Sequence, residues 1–179
     1  MTDTARLLEC LLVFAVFPLW MLAGVADWLC HRASHIERTS GSPESRFHLA
    51  LYLQIALPAA AVTFLQVTMP VLLLLAAGVL AHFVTSWADT RYAQGLRFIS
   101  PFEQRVHAFL EMLPLFALLI LGVLSAEQFT HPQWHVAARK PEPAAAWALV
   151  AALCAGAGFI LEEWWRCAVT LAERAGRPG

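Results

Sequence analysis

Apolar residues gather into five runs along the chain, at residues 7–29, 49–67, 71–87, 106–126 and 144–164, with polar or proline-bearing segments between them. A helix crosses the hydrocarbon core of a bilayer with about 20 mostly apolar residues. The pattern therefore predicts five transmembrane helices. Only Thr68, Met69 and Pro70 separate the second run from the third, which implies a tight turn at the membrane surface. Pro58 and Pro70 argue against one continuous helix there. The first run carries Pro18, Asp27 and Trp28, and it lacks a small-residue cleavage pattern behind a basic start. A retained helix is expected in preference to a signal peptide.

Composition reinforces the pattern. Hydrophobic residues make up 59% of the 179 and charged residues 14%, with a mean hydropathy of +0.61. Such a chain is too apolar for an ordinary soluble domain. The net charge is -1, and its basic residues are dispersed, so a nucleic-acid partner is not expected. No internal repeat or low-complexity tract is visible. The expected architecture is an all-α integral membrane bundle, with a single domain over residues 1–172 and a short flexible tail over 173–179.

Orientation follows from the basic residues. With the N-terminus outside, the inner segments hold Arg32, Arg38, Arg46, Arg91, Arg97, Arg105, Arg166, Arg174 and Arg177, and the outer ones hold Arg6, Arg139 and Lys140. The positive-inside rule then places the C-terminus in the cytoplasm. Trp28, Trp87, Trp164 and Trp165 fall near the inner interface, where indoles are favoured. The outer stretch 127–143 reads as an irregular connector, with His131 and His135 as solvated residues.

Polar residues recur at the inner ends of the first four helices. Asp27/His31, Glu44/His48 and Glu103/His107 are spaced i,i+4 and His82/Asp89 i,i+7, so each pair shares one side of its helix. Charges at that depth cost a few kcal/mol unless paired, hydrated or bound to a cation. These eight residues are the candidate metal ligands. Glu162 and Glu163 arrive at the same end, and Glu111 lies one turn deeper than His107. The bland alternative for a histidine at a helix end is a solvated interfacial residue, but five of them, with His35, cluster on this face.

Helix starts complicate the carboxylates. Ser42-Pro43-Glu44 and Ser100-Pro101-Phe102-Glu103 each put serine at an expected N-cap and proline at the first helical position. Ser100-x-x-Glu103 is also a capping box, so Glu103 reads equally well as a cap and as a ligand. At Glu44 the cap explanation is weaker, although the helix dipole favours a negative charge there.

Mixed imidazole and carboxylate donors suit a divalent metal, with iron or zinc preferred and manganese also compatible. Cys10, Cys30, Cys154 and Cys167 form no close pair and read as small core residues. A carboxylate from every helix with a histidine one turn away follows the logic of ferritin-like di-metal bundles. The spacing here is Glu-x-x-x-His, so that likeness is chemical. Membrane desaturases also place a histidine-rich di-iron site at the cytosolic face, but only His31-x-x-x-His35 matches their pattern.

Asp27-Trp28-Leu29-Cys30-His31-Arg32, Ile36-Glu37, Ser40-Gly41, Glu44-Ser45 and His48, followed by Asp89, Tyr92-Ala93, Arg97, Pro101, Glu103-Gln104, Val106-His107 and Phe109-Leu110-Glu111, run through most of the chain. In these motifs it resembles a family of small bacterial inner-membrane proteins without an assigned activity. The resemblance implies a bacterial inner (cytoplasmic) membrane location and a multi-pass architecture, and it supplies no reaction.

Arg32, Arg46 and Arg97 are candidate binders of an anionic lipid headgroup, because guanidinium forks match phosphate; their alternative role is the positive-inside signal itself. A lipid-like substrate could then present an acyl carbon or ester to the metal. Membrane lipids and a second copy of the chain are the other partners considered. Two further classes stay open: a heme-binding electron carrier with His82 and His107 as axial ligands, and a metal-free scaffold or ion pathway through Glu111, His82 and Asp27. Ser34, Ser40, Ser42 and Ser45 lack a nucleophile-elbow setting, and no phosphate-cradling glycine loop is present.

Overall fold

The computed structural model describes residues 3–175. Among them, five helices are long and apolar enough to cross a membrane: α1 (Asp3–Ala33), α2 (Ser42–Phe64), α3 (Met69–Ala93), α4 (Pro101–Leu124) and α5 (Pro143–Ala175). A 3-10 turn at Ile36–Arg38 and a single helical turn at Glu127–Thr130 complete the described helical elements. The described residues contain no strand, only an isolated bridge between Leu65 and Ala138. Every expected helix is present. Residues 173–175 of the expected tail continue α5; residues 176–179 lie outside the described residues.

The helices outrun their apolar stretches at one end. Helix α2 begins at Ser42, α3 continues to Ala93, α4 begins at Pro101 and α5 continues to Ala175. Hydropathy ends an element where its side chains turn polar, but the backbone hydrogen-bond ladder continues as long as caps and packing support it. Those extra turns carry the polar residues described below.

Helix neighbours close into a ring, α1 against α4, α4 against α3, α3 against α2, α2 against α5 and α5 against α1. The ring is apolar outside. Phe14, Leu22, Leu57, Leu80, Val84, Leu119, Val123 and Trp147 all stand exposed, a distribution suited to contact with lipid tails. Inside, the two ends differ. At the Asp27 end the interior holds buried His31, Glu44, Ser45, His48, Asp89, Glu103 and Glu163. Towards the opposite end, Val16, Leu113 and Ile120 form an apolar seam between α1 and α4.

Two local features shape the ring. In α1, residues Leu12–Val16 widen into a π turn, with the Phe17 N–H reaching Leu12 O. Pro18 follows, and a proline ring crowds the carbonyl four residues before it, a strain that a widened turn relieves. Between α2 and α3, Gly78 permits near-contact, since a β-carbon there would lie 2.6 Å from Gln54 O and 2.8 Å from Pro58 Cγ. The short α2–α3 turn is held by the long connector, through Gln66 N–H to Ala137 O, Thr68 Oγ1 to His135 O and Arg139 N–H to Phe64 O.

Candidate metal centre

Residues 34–41 set the register between α1 and α2. His35 takes a left-handed conformation (φ 50), Ile36 is fully buried, and Gly41 caps α2 with φ 66 and ψ -151. Ser42 therefore lies inside the helix and is not the N-cap the sequence implies. The backbone needed at position 41 is one that glycine adopts without penalty, and this decides the cap. At α4 the expected cap holds: Ser100 Oγ accepts from Glu103 N–H at 3.1 Å. The Glu103 carboxylate does something else.

Arg97, in the α3–α4 loop, donates to it. Its Nη2 lies 2.6 Å from Glu103 Oε1, and its Nε donates to both oxygens of Glu44 at 3.0 and 3.1 Å. Burial would lower the pKa of this guanidinium, but the carboxylates of Glu44 and Glu103 outweigh that and raise it. Arg97 is charged at any working pH. Of the three arginines read as headgroup binders, it faces the interior. Arg32 pairs with Glu162 at 2.6 Å and lies over Trp28, while Arg46 is exposed.

His31 and His48 form the centre of the cluster. Their rings are stacked, 4.2 Å apart and 4° from parallel. Both Nδ1 atoms meet one carboxylate from α5: His31 Nδ1 lies 2.8 Å from Glu163 Oε2, and His48 Nδ1 contacts Glu163 Oε1 at 2.5 Å. Glu163 is itself 1% exposed. Both Nε2 atoms are buried without a hydrogen-bond partner. Around them stand Asp27 Oδ1 (3.5 Å) and Glu103 Oε1 (3.7 Å) for His31, and Asp89 Oδ2 (3.4 Å) and Glu44 Oε1 (3.8 Å) for His48. His107 Nε2 approaches Asp27 Oδ1 at 2.9 Å.

Two sets of donor atoms are gathered closely enough for an ion, Asp27/His31/Glu103/His107 and His31/Glu44/His48, each within 4.8 Å. Asp89 stands beside the second set. Seven of the eight sequence candidates thus converge. The eighth, His82, lines the same interior one level deeper, with Nδ1 3.3 Å from Leu51 O. Glu111 sits at that depth too and accepts from Ser86 Oγ at 2.6 Å.

Glu163 was expected at this end but outside the donor set, and it proves to organise both histidines. Its sequence signal is faint, a Glu162-Glu163 pair closing an apolar run. Glu162 takes the outer role, accepting from Trp28 Nε1, Arg32 and Arg166. His35 is exposed beside Glu37. The four cysteines are free, and Cys10 and Cys154 are exposed on the helix exteriors, where apolar helices tolerate them without a core role. No family model, curated protein or solved structure matches the chain.

Proposed function

We propose that this is an integral membrane protein of the bacterial inner membrane that holds two divalent transition-metal ions at the cytoplasmic ends of its helices. The observation that carries this is the His31/His48 pair, anchored at Nδ1 by one carboxylate, with both Nε2 atoms buried, unpartnered and facing further carboxylates. A carboxylate at Nδ1 holds the proton on that nitrogen and leaves the Nε2 lone pair for a metal.

Charge supports two ions. The cluster gathers five carboxylates, Asp27, Glu44, Asp89, Glu103 and Glu163, around the histidines and one guanidinium, Arg97, which pairs with Glu44 and Glu103; with the imidazoles neutral as metal ligands, four negative charges remain, the match of two dications. One ion would use His31, Asp27, Glu103 and His107; the other would use His48 and Glu44 from the second set, with Asp89, 3.4 Å from His48 Nε2, in place of the shared His31. The parallel rings stand 4.2 Å apart, close to the separation of about 3.5–4 Å between ions in two-metal sites. Nitrogen and oxygen donors without thiolate favour iron or zinc. Iron would supply redox chemistry at the centre and zinc an activated water, in either case for a metal-dependent membrane enzyme.

Cytoplasmic placement rests on the nine-to-three distribution of basic residues. A bis-histidine heme is less well supported, since His107 faces Asp27 and His82 a backbone carbonyl. Elemental analysis of detergent-purified protein tests the reading. His48→Ala and His107→Ala should each lower bound metal strongly, and His131→Ala and His135→Ala should leave it unchanged. Metal-free wild-type protein, or equal losses from all four variants, would refute it.

A further inference from the structure

The ring of helices holds a second, half-open space that adjoins the metal centre. It is a cavity of about 410 Å³ between the halves of the helices remote from Asp27, lined by Val16, Ile55, Val79, Ala117 and Leu149 among others. That size is within the range of ligand pockets. Trp20 belongs to the wall of this cavity and also to the wall of the chamber containing Asp27, His31, His48 and His107. The same helix faces continue from one space into the other: Val16 to Trp20 to Asp27 on α1, and Leu113 to Leu110 to His107 on α4.

Resting on the two-metal reading, the geometry points to a substrate class: an apolar-chain molecule ending in a carbonyl, whose chain fills the remote cavity and whose head lies at Trp20, facing the metal centre. Three observations carry it. The cavity wall is mostly apolar, with Thr63, Arg139 and Glu142 its polar members, and the surrounding bilayer supplies an occupant to match. Trp20 Nε1 is a buried donor with no hydrogen-bond partner, and a buried unpaired N–H is costly unless an acceptor reaches it. A carbonyl is such an acceptor, and a plain hydrocarbon is not.

The third observation is an entry. Near the metal centre α1 and α5 are pinned together by Trp28, whose ring lies 4.9 Å from that of Phe159 at a 45° tilt and whose Nε1 donates to Glu162. Farther out, Leu12, Val13, Ala145 and Ala148 all line the cavity, and α1 packs against α5 chiefly through its Phe17–Ala33 half, so the outer halves of these helices leave a gap between them. The π turn at Leu12–Val16 lies at this opening.

A monoacylglycerol with a photoreactive diazirine in its chain, incorporated with the protein in nanodiscs, tests the proposal. Crosslinks should map to residues 12–20 and 145–149 on their cavity-facing positions and be displaced by unlabelled monoacylglycerol or by an alkyl-benzoquinone; whichever displaces better identifies an ester or a quinone head. Displacement by hexadecane to the same degree, or labels confined to exterior positions such as Phe14 and Trp147, would overturn it. Ala148→Phe should abolish the interior label with metal content and melting temperature retained, and Trp20→Phe should weaken retention several-fold. Metal is measured on every sample: metal bound without interior labelling sinks this inference alone, and interior labelling without metal sinks the two-metal reading.

Discussion

His31 and His48, on α1 and α2, lie ring to ring at 4.2 Å and share a single carboxylate on α5 through their Nδ1 atoms. Three helices are thereby tied by one buried contact. The same contact fixes where both Nε2 atoms point, and it makes the orientation of the two imidazoles a joint property of the bundle.

Glu163→Gln keeps the shape of that clamp but removes its charge and presents an amide to one of the Nδ1 protons. Metal affinity should fall about 10- to 100-fold, the usual cost of losing a carboxylate behind a metal-bound histidine. Chelator competition measures it. Glu162→Gln, whose partners are Trp28, Arg32 and Arg166, should leave metal affinity unchanged; equal losses in the two variants would assign Glu163 a general folding role.

Removing Arg97 leaves Glu44 and Glu103 without their cation. Arg97→Met should destabilise the metal-free protein by about 3–5 kcal/mol, the range for breaking a buried ion pair, and should destabilise the metal-loaded protein far less, because ions then neutralise the same carboxylates. Thermal melts with and without added zinc check this. A loss independent of metal would separate Arg97 from the centre.

Packing around Gly78 is independent of any ion. A methyl there meets Gln54 O at 2.6 Å, so Gly78→Ala should force α2 and α3 apart and cost about 1–3 kcal/mol. Gly158→Ala, where nothing lies within 4 Å, should be neutral or slightly stabilising through helix propensity. Thermal unfolding in detergent compares them, and similar melting temperatures would contradict the close approach.

Topology has its own check. A reporter active only in the cytoplasm should work fused after Gly179 and fail fused before Met1. The reverse result would turn the His31/His48 cluster to the outer face.

The five helices were legible because each apolar run is long and cleanly bounded. Their polar ends were legible only where a cap announced them: Ser42-Pro43 and Ser100-Pro101 put Glu44 and Glu103 inside α2 and α4 ahead of the apolar spans, as observed, whereas α3 runs on to Ala93 and α5 to Ala175, past the point where hydropathy falls. The i,i+4 pairs were readable from spacing, and Asp27/His31 and Glu44/His48 do lie side by side. Glu163 escaped because its partners are 132 and 115 residues away, a separation on which local pattern is silent. Arg97 was read by charge alone as facing a headgroup, but burial turns it inward to two carboxylates. Glu103 was left between cap and ligand: its backbone N–H takes the Ser100 cap while its side chain joins the cluster. Ser42 lost the cap to Gly41 through a backbone angle that residue type alone does not announce.

The central claim is that two ions sit side by side, one beyond each stacked histidine. Titrating metal-freed protein with Co²⁺, followed by visible absorption and electron paramagnetic resonance, tests it most directly. Two tightly held equivalents per chain are expected, with the first signal altered by magnetic coupling as the second ion enters, and a single uncoupled equivalent in His48→Ala. Wild-type protein that retains no Co²⁺ after desalting, or that saturates at one ion with no coupling, would contradict it.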